Sequence, residues 1–213
     1  AFLPKNCLHI NKEPPSPIPI STILRDYLNV CDTNREAKYI LNSGAVLVDQ
    51  RVVRKPKYPV GLMDVISLPA MKRHYRTMID DHGRLQFVEI KAAESQWKLL
   101  RVENKTVVKG GKVQLNLHDG TNMISDKKVK TGDVLQVSLP DLKIKKVLEF
   151  KEGSQAFIMG GAHVGSLSEI KGIEITRSTK PNLVMYDGFQ TIKSYSFVVG
   201  DKKSLVNLPE AKL

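Results

Sequence analysis

Apolar residues from position 20 onward recur at helical spacing and predict a short first helix. The residues that would share its buried face are Ile23, Leu24, Tyr27 and Leu28. Ser21 is the expected N-cap, because a serine side chain can accept a hydrogen bond from a free amide of the first turn. The first nineteen residues instead contain five prolines, which exclude a helix and favour an extended arm.

A second helix is marked at both of its ends. Thr33 and Glu36 have the spacing of a capping box, in which each side chain accepts from the other residue's amide. Gly44 is suited to the left-handed conformation that ends a helix. The expected buried face of this helix consists of Ala37, Ile40 and Leu41.

After about residue 70 the helical period gives way to short runs that are typical of strands. Before that point, two short strands are predicted at 45–49 and 63–68. Beyond it, strands are predicted at 85–90, 98–102, 106–108, 113–117, 134–139 and 145–150, and in a last block at 156–159, 167–175, 182–186 and 195–199. Turns are predicted at Glu103-Asn104, Gly110-Gly111, His118-Asp119-Gly120 and Lys130-Thr131-Gly132-Asp133. Short strands so closely spaced favour small barrels or sandwiches.

The charge of the chain indicates a polyanionic partner. Among 213 residues, 33 are lysine or arginine and 22 are acidic, which gives a net charge of +11. The alternative is that this charge serves solubility. Seven basic residues between positions 51 and 76 stand against one acid, Asp64, and this cluster suits the phosphates of a structured RNA better than a merely solvated face.

Other features narrow the classes of protein. The two cysteines, Cys7 and Cys31, have no CxxC partner, so we expect neither a zinc ribbon nor a disulfide framework, and a reducing cytoplasmic environment. Cys31 is expected in the core. Because no apolar run approaches the roughly 18 residues of a membrane span and no signal segment is evident, membrane attachment is not expected.

Several motifs admit a functional and a plain interpretation. His118 and Asp119 could form an acid–base pair, but a hairpin turn with Gly120 explains them better. The glycines of 160–165 lack the Gly-Lys-Ser/Thr ending of a phosphate loop, so a tight strand connection is favoured. Trp97 is expected in the core rather than stacked on a base. Two lysine groups, Lys127, Lys128 and Lys130, and Lys143, Lys145 and Lys146, are either ordinary surface residues or further RNA contacts.

Ordered motifs along nearly the whole chain resemble the ribosomal protein S4e family of archaea and eukaryotes. They are Arg25-Asp26-Tyr27-Leu28, Arg35-Glu36-Ala37-Lys38-Tyr39-Ile40-Leu41-Asn42, Tyr58-Pro59-Val60-Gly61-Leu62-Met63-Asp64-Val65-Ile66, Gln114-Leu115-Asn116-Leu117-His118-Asp119-Gly120 and Lys130-Thr131-Gly132-Asp133. Gly160-Gly161-Ala162-His163-Val164-Gly165 is similar to the turn of a KOW motif. The sequence departs from the family at Gln50, where a glycine is usual, and at 166–169, where a basic, glycine-containing continuation is usual.

The resemblance implies an α+β multidomain chain. Its parts would be an extended arm at 1–19, an S4-like RNA-binding module of two helices and short strands at 20–76, a central β domain at 77–149, and an SH3-like β-barrel with a KOW motif at 150–213. It implies a structural component of the small ribosomal subunit in the cytoplasm, bound to rRNA and neighbouring ribosomal proteins. Catalysis, a cofactor and a metal are not expected, and the isolated chain is expected to be a monomer.

The residues expected to contact RNA come from both arguments. The resemblance assigns Arg35 and Lys38 on the second helix, and Arg51, Arg54, Lys55 and Lys57 in a basic hairpin. The predicted site also includes Arg25, Lys72, Arg73 and Arg76.

Two other functions compete with the ribosomal one. An RNA-modifying enzyme could use the same binding module, but it would need a catalytic domain with a nucleophilic aspartate or a cofactor-binding glycine loop, and the sequence has neither pattern. A free RNA-binding regulator is the third hypothesis. Sedimentation with small ribosomal subunits would separate these hypotheses.

Overall fold

Antiparallel strands dominate the structure, a computed structural model that describes residues 14–108, 110–125, 128–175, 181–201 and 203–206. Two short helical segments precede most of the strands, and the strands pair into five sheets. The predicted succession of a small helical module and a β-rich remainder is therefore confirmed. Most of the predicted N-terminal arm, residues 1–13, lies outside the described residues.

The first module contains the helices and seven strands. Its elements are β1 (Ile18–Pro19), α1 (Ile20–Thr22) continued by a π-helical turn (Ile23–Tyr27), α2 (Asn34–Asn42), β2 (Leu47–Val48), β3 (Arg51–Val52), β4 (Pro59–Val60), β5 (Val65–Leu68), β6 (Arg73–Ile79) and β7 (Leu85–Ile90). Five strands form one sheet in the order β3-β2-β5-β6-β7, while β1 pairs with β4. The helices cover one face of this sheet and share a core with it, which includes Ile23, Leu41 and Ile66.

The helix ends follow the sequence signals in α2 but not in α1. Thr33 and Glu36 form the predicted capping box, and Gly44 has a φ of 76° just beyond the helix. Helix α1 begins at Ile20 with Pro19 as its N-cap, so the expected cap at Ser21 is wrong. The amides of Ile20 and Ser21 donate to the carbonyls of Tyr58 and Pro56 instead, and they need no side-chain cap.

A two-residue hairpin joins β2 to β3 without the expected glycine. Asp49 and Gln50 both adopt left-handed conformations, with φ of 52° and 62°. Their side chains stabilise the turn: Gln50 Nε2 donates to the Ser95 carbonyl over 3.1 Å, and Asp49 Oδ1 accepts from the Val65 amide over 3.0 Å. The contacts of these side chains offset the strain that a non-glycine residue carries there.

Strand β6 was not predicted, and it moves the end of the first module. The five residues from Tyr75 to Ile79 are all buried, so the segment lacks the alternation of a half-exposed strand. Strands β6 and β7 belong to the sheet of the helical module, and the predicted boundary at 76/77 falls inside β6.

The central module is a single five-stranded sheet. Its strands are β8 (Trp97–Val107), β9 (Val113–Leu117), β10 (Asn122–Ile124), β11 (Val134–Ser138) and β12 (Lys143–Leu148), in the order β10-β9-β8-β11-β12. The predicted turn at Glu103-Asn104 is wrong. A bulge between Val102 and Asn104 lets one long strand pair first with β11 and then with β9.

The last module contains two three-stranded sheets. Its strands are β13 (Gln155–Ile158), β14 (Leu167–Glu169), β15 (Gly172–Glu174), β16 (Leu183–Met185), β17 (Gln190–Ile192) and β18 (Ser196–Gly200), paired as β14-β13-β18 and β15-β16-β17. The strand predicted at 167–175 is thus divided between two sheets. Over the described residues, these pairings do not close a barrel.

The glycine-rich loop at 160–165 connects β13 tightly to β14, as predicted. Two backbone hydrogen bonds close it: the Gly165 amide donates to the Ile158 carbonyl over 2.8 Å, and the Ile158 amide donates to the Ser166 carbonyl over 3.0 Å. Gly165 has a φ of 83°, and a Cβ there would lie 2.6 Å from the carbonyl of Asp80 in the β6–β7 turn. The close approach of the loop to the first module requires glycine at this position.

One hydrophobic core is shared by all three modules. Met63 and Met78 enter it from the first module, Leu99 from the central module, and Phe157 and Phe197 from the last. The three modules therefore pack against one another and do not have separate cores at this junction. None of the helices among the described residues is long and apolar enough to cross a membrane.

A buried ion cluster lies where the first module meets the central one. Lys98 Nζ contacts Asp49 Oδ2 at 2.5 Å, Asp119 Oδ2 at 2.9 Å and Asp64 Oδ1 at 3.2 Å, and Lys98 is 2% exposed. Burial disfavours the ammonium, but the three carboxylates outweigh it and raise the pKa of Lys98 above its ordinary value. Burial, followed by repulsion from Asp49, raises the pKa of Asp64 to about 6.

His118 and Asp119 point to different partners and do not form an acid–base pair. The Arg101 amide donates to His118 Nδ1 over 3.1 Å, so Nε2 carries the proton and donates to the Leu62 carbonyl over 3.3 Å. Burial lowers the pKa of His118 to about 4, which keeps the ring neutral. Gly120, with a φ of 80°, completes the hairpin turn that the sequence predicted.

Arg76 is buried, which overturns its prediction as an RNA contact. It is 1% exposed, its Nη2 donates to the carbonyls of Glu94 and Trp97 over 2.9 Å each, and its guanidinium lies 4.2 Å from the centroid of the Trp97 ring. Strand parity explains the error. Tyr75 faces the helices, so Arg76 must point to the opposite face of the sheet, which residues 94–97 cover.

We expect Asp64→Asn to remove a pH dependence of stability. The unfolded carboxyl loses its proton near its ordinary pKa of 3.8, whereas the folded one keeps it up to about pH 6. The wild type should therefore lose up to about 3 kcal/mol of unfolding free energy relative to the variant as the pH rises from 4 to 6.5. Urea unfolding over that pH range measures the difference. Asp187→Asn, at an exposed carboxylate, is the control. If the difference in unfolding free energy between the wild type and Asp64→Asn changes with pH no more than it does for the control, the raised pKa of Asp64 is contradicted.

We expect Arg76→Met to change the stability of the fold and Arg73→Met to change RNA binding. Arg76→Met removes the guanidinium and leaves the carbonyls of Glu94 and Trp97 without the donor they have in the wild type. It should lower the unfolding free energy by about 2–4 kcal/mol, with the salt dependence of RNA binding unchanged. Arg73 is exposed, so Arg73→Met should change stability by less than about 0.5 kcal/mol and reduce the salt slope by about one. Denaturation measures the unfolding free energy of each variant, and binding titrations at several salt concentrations measure the salt slope. A reduced salt slope for Arg76→Met would show that Arg76 contacts RNA after all.

Candidate nucleic-acid interface

Eight of the ten predicted RNA-binding residues are exposed on the first module, and the seven other than Arg51, which contacts the central module, are considered together. These seven are Arg35, Lys38, Arg54, Lys55, Lys57, Lys72 and Arg73, and they are called the basic face below. None of them forms an ion pair with a carboxylate among the residues that the structure describes. Their charges are therefore available to an external anion.

Helix α2 presents one part of the basic face. Ala37 and Leu41 are buried against the sheet, which turns Arg35 and Lys38 to the outside. Tyr39 lies beside them with 77% of its surface exposed, four residues after Arg35 and thus on the same side of the helix. The Glu36 carboxylate between them is occupied, because it accepts from the amides of Asp32 and Thr33.

The loop after β3 presents Arg54, Lys55 and Lys57. Its backbone is held at several points, since Val53 donates to the Val46 carbonyl and the Pro56 carbonyl accepts from the amide of Ser21 in α1. The Arg54 guanidinium lies 3.8 Å from the position that a Cβ on Gly44 would take, so this loop adjoins the end of α2. Fixed backbone beside a helix terminus places these three cations with little loss of chain entropy on binding.

Lys72 and Arg73 lie at the same end of the sheet as this loop. Arg73 pairs with Leu68 at the end of β5, while the next strand, β2, is extended by the contact between Val46 and Val53. Strands β3 and β6 are three positions apart in the sheet, a separation of roughly 14 Å. Arg73 has the parity of Tyr75 and therefore points to the helix-covered side.

Arg25, which is half-buried, and Arg51 are less available to RNA than predicted, because their side chains have partners within the protein. Arg25 forms a two-point ion pair with its neighbour Asp26, at 2.5 and 2.8 Å, and this pair has no net charge. The arginine holds the pKa of the Asp26 carboxyl below its usual value. Arg51 turns toward the central module and donates to the Pro140 carbonyl over 3.2 Å. Arg25, Arg51 and Arg76 are thus the three exceptions, and each depends on a side-chain contact that sequence spacing does not reveal.

Exposed apolar side chains on the same module were missed by the sequence reasoning. Tyr39, Val52 and Tyr58 are 77%, 52% and 39% exposed. The position of Tyr39, four residues after a predicted contact on a helix, was the one available signal. Cations interleaved with exposed aromatic rings can hold phosphates and also stack on unpaired bases.

One group among the described residues has the spacing of metal ligands. Asp80, Asp81 and His82 offer ligand atoms that lie within 4.8 Å of one another in the turn between β6 and β7. Asp80 Oδ1 already accepts from the amides of His82 and Arg84, so it stabilises this turn. Turn formation accounts for the group.

The comparisons with known proteins agree with this geometry. A model of the ribosomal family S4e matches residues 71–144, and a model of the S4 domain matches residues 19–66. The chain is similar to the crystal structure of the 30S ribosomal protein S4e from Thermoplasma acidophilum, with a TM-score of 0.79 and 39% identity over 89% of this chain and 98% of that one.

Curated relatives give the same result in sequence. The small ribosomal subunit protein eS4 of Methanothermobacter thermautotrophicus is 42% identical over 92% of this chain and 83% of its own length. The protein of the same name from Picrophilus torridus is 40% identical over 99% of this chain and 90% of its own length. With its S4 domain, its central module and its overall fold all matched, the chain belongs to the ribosomal S4e family.

Proposed function

We propose that this chain is a structural component of the small ribosomal subunit that binds folded rRNA through the basic face and has no catalytic role. The observation that carries the proposal is the set of seven exposed cations on α2, on the loop after β3 and at the start of β6, none of which forms an ion pair with a carboxylate in the described part of the chain. The names of the relatives, small ribosomal subunit protein eS4, support the assembly in which it acts.

The basic face is suited to position RNA rather than to read its sequence. Each lysine or arginine that meets a phosphate releases a condensed counterion, so binding should weaken steeply as salt is added. Phosphate contacts carry no base information, and a folded RNA is recognised largely by its shape. Such a surface suits an architectural protein better than a sequence-specific regulator.

We propose the finer architecture on the same basis. The first module would extend from 18 to 90, and the central module from Trp97 to about 149, because these limits follow the sheets. The last module would be an SH3-like barrel with a KOW motif. The tight β13–β14 connection at 160–165 supports that proposal, and so does the His163 ring, which is stacked 4.1 Å from Phe189.

The partners follow from the same proposal. The chain would contact small-subunit rRNA and neighbouring ribosomal proteins in the cytoplasm, and it would be a monomer when isolated. An RNA-modifying enzyme is not favoured, because the relatives carry the names of ribosomal proteins and the one candidate acid–base pair, His118 and Asp119, is engaged in backbone and lysine contacts.

Sedimentation of a cell extract tests the proposed function. The chain should move with small ribosomal subunits and be released by high salt together with other RNA-bound proteins. The proposal would be overturned if the chain stayed at the top of the gradient at low salt. It would also be overturned if the chain catalysed the modification of protein-free RNA.

The basic face itself is tested by reversing three of its charges. Arg54→Glu, Lys55→Glu and Lys57→Glu together should weaken binding to small-subunit rRNA and reduce the slope of log affinity against log salt by about two to three, because three phosphate contacts are lost. The stability of the fold should change little, since all three side chains are exposed.

A matched control makes the same change of charge at other lysines. Lys146, Lys151 and Lys171 are exposed and already lie 2.6, 3.5 and 3.5 Å from carboxylates. Changing these three to glutamate should leave the slope close to that of the wild type. An unchanged slope for the first triple variant would remove the basic face from the binding site.

A further inference from the structure

We infer that a lysine-lined groove on the central module is a second phosphate-binding site for the same RNA, separate from the basic face. This inference rests on the proposed function. The groove has a volume of about 590 Å³ and lies between the β8–β9 hairpin and the segment 128–130. Its cationic lining residues are Lys105, Lys112, Lys128 and Lys130.

The charge of the groove is one-sided. No carboxylate lines it among the described residues, and Lys112, Lys128 and Lys130 are exposed. Between positions 105 and 130 the sequence contains six lysines and two acids, Asp119 and Asp126. Asp119 is held by Lys98, and residues 109, 126 and 127 lie outside the described residues. A concave surface with this excess of cations concentrates positive potential.

Both walls of the groove are held in place. The hairpin is closed where the Val108 amide donates to the Lys112 carbonyl over 2.9 Å. Lys105 Nζ bridges to the opposite wall and donates to the Val129 carbonyl over 2.6 Å, while the Lys130 amide donates to Asp133 Oδ2 over 2.7 Å. The side chain of Val129 is buried beneath, with 3% of its surface exposed. The shape therefore exists before a ligand arrives.

The rim of the groove is open to a backbone that approaches it. Gly110 and Gly111 have φ of 86° and 74°, and a Cβ at either position would meet nothing within 4 Å. A phosphate–sugar chain can pass over such a turn without a clash. The lysines act as point charges and offer no planar fork, which suits repeated phosphates rather than one specific anion.

A second site on another module would add avidity to the first. Since all three modules share one core, the two sites have a fixed geometry, and binding at one raises the effective concentration of RNA at the other. The sequence left open whether either of its two lysine groups contacts RNA, and the structure separates them. Lys128 and Lys130 line the groove, whereas Lys143 and Lys146 lie near the carboxylates of Asp141 and Asp201.

The test compares three triple variants of the full chain on purified small-subunit rRNA. Lys112→Glu, Lys128→Glu and Lys130→Glu together should reduce the salt slope by about two to three. This variant should also lose a set of hydroxyl-radical protections that the Arg54, Lys55 and Lys57 variant retains. The control at Lys146, Lys151 and Lys171 should keep both the slope and the protections.

The outcomes separate this inference from the proposed function. If the groove variant keeps the wild-type slope and protections while the basic-face variant loses its own, the groove is not a site and the proposed function stands. If the control loses as much slope as the groove variant, general charge explains the loss and the groove is again excluded. Wild-type protein that gives no protections overturns both. Should the glutamate variant not fold, the triple change to glutamine must show the same loss of slope.

Discussion

The contact of Lys98 with three carboxylates fixes how the first module meets the central one. Asp49 lies in the β2–β3 turn and Asp64 directly before β5, both in the first module, and Asp119 comes from the β9–β10 hairpin. Removing an ammonium and carboxylates from water costs several kcal/mol for each ion, and only good geometry recovers it. The cluster therefore forms fully in one arrangement of the modules, and the shared hydrophobic core fills the space around that arrangement.

The basic residues of the chain accordingly divide into two kinds. Lys98, Arg76 and Arg101 are buried and join segments, with Arg101 donating to the carbonyls of Ser194 and Ser196 in the last module. The residues of the basic face are exposed and have no acidic partner among the described residues. A count of charges along the sequence cannot separate the two kinds, because the difference lies in which side of a strand another module covers.

Local signals predicted local structure well and failed where tertiary contacts decide. The capping box of Thr33 and Glu36 and the left-handed Gly44 depend only on neighbours, and both were predicted. Strand β6 was missed because both of its faces are buried, which removes the alternation that marks a strand. The same strand carries Arg76, so missing this element led to the wrong contact residue and placed a predicted boundary inside a strand. The bulge in β8 resembled a turn because Asn104 is a turn-forming residue and its neighbour Glu103 is polar.

The junction between modules has a consequence for binding as well as for folding. Two phosphate-binding surfaces reinforce each other only when a single RNA conformation can reach both, and a loose junction would spread their separation over many values. The Lys98 cluster and the common core set that separation when the chain folds, so little ordering remains to oppose RNA binding. If both proposed surfaces bind RNA, side chains that touch no RNA contribute to affinity, because they hold the cations of different modules at one spacing.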